Sequence, residues 1–78
     1  MQIIMERVGK LFLTVEKHYG QKFYSLDDIL EQTKKKPHIF MEQHPIKLNC
    51  GIIFGHRLDG ENIIRSVFVD EDGLKSLS

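Results

Sequence analysis

Four side chains able to bind a transition metal recur every six residues: His38, His44, Cys50 and His56. Imidazole nitrogen and thiolate sulfur are both zinc donors, so a structural metal site is the first chemistry to test. The spacing matches no familiar zinc pattern. Cys50 and His56 border one extended run, where six residues span about 20 Å, whereas a tetrahedral site gathers its donors around a single ion. Solvent-facing histidines and a buried thiol are the better account, and no metal or other cofactor is expected. Cys50 with a histidine would make a nucleophile–base pair, but a small buried cysteine beside an apolar strand explains it more simply. Asp27 with Asp28 fits helix capping, and Asp59 with Glu61 fits turn chemistry. No G-x-x-x-x-G-K-[ST] phosphate loop occurs, and Gly51 and Gly55 read as strand or bulge glycines. With no convergent nucleophile or acid–base set, the chain reads as non-enzymatic, with no catalytic residue.

The basic residues point to a different chemistry. Lys34-Lys35-Lys36 is the strongest nucleic-acid feature of the chain, and Lys47, Arg57 and Arg65 extend it toward phosphates. The residues expected to bind nucleic acid are Lys34, Lys35, Lys36, His38, Lys47 and Arg57. The competing reading of the lysine run is a solvated helix end. Asp59 and Glu61 would repel phosphate at a hairpin tip, and they suit a protein partner better. Ile64 and Arg65 are the expected partner-binding residues. Phe12, Phe23, Phe40, Phe54 and Phe68 are scattered among apolar neighbours and read as core rather than as a stacking platform for single strands.

These residues need elements to place them. Ile4, Val8, Leu11 and Val15 follow a 4-3-4 spacing, which predicts an amphipathic helix over 2–19 closed by Gly20. Gln21 to Tyr24 reads as short and extended. Ser25 and Asp28 then form a capping box that opens a second helix, from Leu26 to about Lys35, with Tyr24 stapled onto Ile29. Asp27 and Asp28 sit at the positive end of its dipole, and Pro37 stops it. Pro37 also fits the first position of a short third helix limited by Pro45. The same residues, His38 to Met41, alternatively form a strand. Gly51 to Leu58 and Ile63 to Val69 are β-rich runs around the turn Asp59-Gly60-Glu61-Asn62. Pairing Leu58 with Ile63 sets Phe54 against Val67 and Ile52 against Val69, a coherent apolar face, with Arg57, Ile64 and Ser66 opposite. Asp70 to Gly73 reads as a polar turn and 74–78 as a flexible tail.

Composition bounds the rest. Seventy-eight residues make a single small domain, expected over 1–73. Eleven basic and eleven acidic residues give a formal net charge of zero, which argues against strong nonspecific phosphate binding. The single cysteine makes no internal disulfide, and no apolar stretch is long enough for a membrane span or a secretory signal. An intracellular protein is expected: nuclear in a eukaryote, otherwise cytoplasmic.

Leu11-Phe12, Glu16-Lys17-His18, Tyr24-Ser25-Leu26-Asp27-Asp28, Thr33-Lys34 and Pro37 together resemble the C-terminal winged helix of the small subunit of general transcription factor TFIIF. Residues 25–33 are also similar to the matching helix of the TFIIE β-subunit core, and residues 25–30 to a short stretch of a GINS replication-complex subunit. The resemblance covers roughly residues 8–37, and Pro45 departs from it where those families continue a helix. It implies an α+β winged-helix-like domain, with two or three helices and a C-terminal β-hairpin. The implied role is a non-enzymatic transcription or replication module that binds duplex DNA weakly or holds a protein partner in a larger assembly. The alternative expectation is a protein-interaction module, or a small viral or phage inhibitor, acting through hairpin and helix surfaces.

Overall fold

The computed structural model describes residues 2–33 and 51–77. Residues 4–18 form a hairpin, not a helix. Strand β1 (Ile4–Val8) and strand β2 (Leu11–His18) pair antiparallel around the two-residue loop Gly9-Lys10. Gly9 takes a φ of 61°, as primed hairpin turns require at their first central position. The helical-looking stripe has a simple origin in this register. Ile4 lies opposite Val15 and Val8 lies opposite Leu11. Cross-strand partners share a face, so a tight hairpin puts these four side chains together just as a helix would. β-branched Thr14 and Val15 then favour the strand.

Gly20 marks a second tight turn instead of a helix end. Tyr19 and Gly20 have φ values of 53° and 76°, the paired positive values of a type I′ loop. They join β2 to strand β3 (Gln21–Ser25). Helix α1 (Leu26–Gln32) follows, shorter than expected, with Thr33 as its C-cap. Ser25 caps it as expected: its Oγ accepts the Asp28 N–H at 3.3 Å. The Asp28 carboxylate does not turn back to close the capping box. It accepts the backbone N–H of Thr14 instead.

Strands β4 (Ile52–Asp59) and β5 (Asn62–Val69) form the expected hairpin in the expected register, with Leu58 opposite Ile63, Phe54 opposite Val67 and Ile52 opposite Val69. The strand order is β1-β2-β3-β5-β4, and every pairing is antiparallel. Only Tyr24–Val69 and Ser25–Phe68 join β3 to β5. Past Ser25 the sheet splits, and α1 occupies the gap. Gln32 bonds both the N–H and the C=O of Phe12 on β2, while Asp27 accepts the Ser66 hydroxyl on β5.

The stretch expected as polar turn and tail is helix α2 (Glu71–Leu77). Asp70 is its N-cap, with Oδ1 accepting the Gly73 N–H at 3.0 Å and Oδ2 the Gly51 N–H at 2.8 Å. Leu74 and Leu77 join Leu13, Val15, Tyr24, Leu26, Ile29, Leu30 and Val69 in the main core.

The architecture is therefore a five-stranded antiparallel sheet with two helices among the described residues, and the winged-helix expectation is corrected. A winged helix needs its first helix as scaffold, and here that segment supplies the first two strands of a three-stranded meander. The proposed third helix or strand, 38–49, lies outside the described residues. No helix among the described residues is long and apolar enough to cross a membrane.

Candidate functional site

The β4–β5 hairpin is built the reverse of an ordinary half-buried ribbon. Alternation puts Ile53, Gly55 and Arg57 of β4 with Ile64, Ser66 and Phe68 of β5 on one face. The other face carries Ile52, Phe54, His56, Leu58, Ile63, Arg65, Val67 and Val69. Polar groups are buried on the first. Apolar groups are exposed on the second.

On the Arg57 face, Arg57 retains 8% exposure and Ser66 is equally enclosed. The Arg57 guanidinium donates to Asp28 Oδ1, through Nε at 2.9 Å and Nη2 at 2.8 Å, and Nη2 lies 3.3 Å from Glu31 Oε2. Burial works against its charge, yet the Asp28 hydrogen bond and the carboxylates of Asp28, Glu31 and Asp27 outweigh that and raise its pKa. Asp28 Oδ2 meanwhile accepts the Thr14 N–H at 2.8 Å, so one carboxylate ties β2, α1 and β4 together. No buried side-chain polar atom among the described residues lacks a partner.

A second carboxylate makes a similar tie further along the sheet. Glu16 Oε2 accepts the His56 N–H at 2.8 Å, and Oε1 bonds His18 Nε2 at 2.9 Å. Burial pushes the Glu16 carboxyl up, but the His18 and His56 hydrogen bonds prevail and hold it below its ordinary value. Gly55 makes this contact possible. A Cβ there would overlap the Glu16 carboxylate and come within 3.0 Å of the Phe68 ring. The N–H of His56 is thereby occupied, which blunts the free edge of β4.

Among the described residues the Phe54 face has no such cover. Ile52, Phe54, Leu58 and Ile63 are 47%, 65%, 43% and 48% exposed. Val69 on the same face is fully buried and Val67 packs against the main core, so these four extend a core face past the helices. The Arg65 guanidinium lies over the Phe54 ring, 5.1 Å from its centroid. Arg65 and His56 are the face's ionisable groups, and it carries no carboxylate.

The expected site residues scatter across this arrangement. Arg57, expected to meet nucleic acid, is buried and ion-paired. Lys34, Lys35, Lys36, His38 and Lys47 lie outside the described residues, as do His44 and Cys50. Arg65, expected at a partner surface, is exposed on the Phe54 face, whereas Ile64 is half-buried on the Arg57 face. Sequence reasoning missed Ile52, Phe54, Leu58 and Ile63 as surface residues. The signal that finds them is the acidic edge of α1, Asp27, Asp28 and Glu31, which needs a cation and matches only the polar face of the ribbon. Among the described residues no group of three histidine, cysteine or acidic side chains is placed to hold a metal ion. No family model, curated protein or solved structure matches the chain.

Proposed function

We propose that this chain is a non-enzymatic protein-interaction module whose working surface is the Phe54 face of the β4–β5 hairpin. The observation that carries the reading is a set of exposed apolar side chains on the outer hairpin of the sheet, backed by a face whose buried Arg57 and Ser66 side chains are both partnered. Contiguous exposed apolar surface beside a formed core is the mark of a binding region in a small soluble domain. The partner is a protein segment that offers apolar side chains to Phe54, Leu58 and Ile63 and a carboxylate to Arg65. A face with Arg65 and no acid favours such a partner over a second copy, because a two-fold axis near the His56–Arg65 pair would bring like charges together.

The test places a photo-crosslinking phenylalanine analogue at position 54, identifies the captured protein, and measures its affinity for the purified chain. Phe54→Ser and Arg65→Glu should each weaken that affinity at least about tenfold, while Tyr19→Ser at an exposed turn leaves it unchanged. Shielding of position 54 in the free monomer, self-association through this face, or an affinity indifferent to both variants would overturn the reading. Steep salt-dependent binding to duplex DNA would favour the nucleic-acid role expected from the lysine run.

A further inference from the structure

A second site lies between the β1–β2 turn and α2, and it does not depend on the hairpin face. A cavity of about 550 Å³ opens there. Val8, Leu11, Tyr24 and Leu74 form its apolar wall, and all four belong to the main core or pack against it. Lys10 and Lys75 lie at its rim with Thr33 and Glu71. Neither lysine is ion-paired or hydrogen-bonded among the described residues, whereas Lys22 is held by Glu6 at 2.8 Å.

We infer that this cavity binds a small amphipathic carboxylate, its hydrocarbon body against Val8, Leu11, Tyr24 and Leu74 and its headgroup between Lys10 and Lys75. The volume falls within the range of small-molecule pockets, which are largely apolar with a few orienting polar groups. Two unpaired cations against the single acid Glu71 make the rim net positive, so an anionic headgroup is favoured over a cationic one. The Thr33 hydroxyl is already committed to the Ile29 carbonyl at 2.7 Å, which leaves the lysines as the charge-reading groups.

Octanoate and octan-1-ol, both below their aggregation limits, are the probes, read by amide chemical shifts of the whole chain. Octanoate should shift Val8, Leu11, Thr33 and Leu74 with saturation. Reversing both exposed lysines, Lys10→Glu with Lys75→Glu, should weaken octanoate roughly fivefold or more, as expected for two screened surface charges. The same double variant should leave octan-1-ol binding unchanged, which separates loss of charge from loss of fold. Absence of saturable shifts at the cavity would overturn the inference. So would a double variant that leaves octanoate unaffected, or one that weakens acid and alcohol alike.

Discussion

The two faces of the β4–β5 hairpin meet opposite surroundings, and burial on them does not follow polarity. Arg57, Ser66 and Phe68 are buried, while Ile52, Phe54, Leu58 and Ile63 on the reverse side meet solvent. Hydropathy alone would bury Phe54, Leu58 and Ile63 and expose Arg57 and Ser66. The difference lies in what each face has to meet. On the Arg57 side, α1 presents Asp27, Asp28 and Glu31 in the gap where β3 has ended, so the buried side chains of Arg57 and Ser66 both find partners. On the Phe54 side, helix cover stops near Val67 and Val69. Burial follows complementarity to the neighbouring element, and among the described residues the strip of Ile52, Phe54, Leu58 and Ile63 has no such element.

Breaking the buried side should have the largest effect. Arg57→Ala leaves Asp28 enclosed without its cation and should destabilise the domain by about 3–5 kcal/mol, measured by urea unfolding. A loss no larger than that of a surface substitution would mean that Asp28 is solvated and the two faces are not so different. Gly55→Ala comes next. It displaces the Glu16 carboxylate and crowds Phe68, and should cost about 1–3 kcal/mol. In a Glu16→Ala background the cost should shrink, because the Cβ then meets only the ring; an unchanged cost would show that Glu16 does not occupy that space.

Acid sharpens the contrast further. Glu16 has a lowered folded-state pKa, so the unfolded chain binds its proton more readily than the folded one. Its contribution is therefore complete only well above the ordinary glutamate value of 4.5 and disappears as pH falls through the lower folded value. Unfolding measured between neutral and acid pH should show Glu16→Gln losing stability mainly on the neutral side, with the two proteins converging in acid. The smallest effect is expected on the bare face. Phe54→Ser should change the stability of the isolated chain by less than about 1 kcal/mol, because the ring contacts solvent and Arg65 rather than a core. A cost of several kcal/mol would show that Phe54 is packed in the free protein and would remove the contrast altogether.

Much of the local structure was legible in the residues. Asp59-Gly60-Glu61-Asn62 announced a tight turn, and apolar matching across it chose the observed register of β4 and β5. Ser25 announced the start of α1. The N-terminal strands were hidden because Ile4, Val8, Leu11 and Val15 satisfy a helical period and a tight hairpin equally well. Gly20 was ambiguous for a related reason: a positive φ closes a helix and also turns a hairpin. Helix α2 was hidden by Gly73, which reads as a breaker but sits in the first turn with its N–H held by Asp70.

Turn chemistry, capping and strand register act within a few residues, and the sequence by itself settled them for the β4–β5 ribbon and for the start of α1. The direction in which that ribbon faces, and hence which of its residues are exposed, was decided only in three dimensions. A buried guanidinium is tolerable solely where another segment supplies its carboxylate. The residues that do so, Asp28 and Glu31, lie 29 and 26 positions away in the chain.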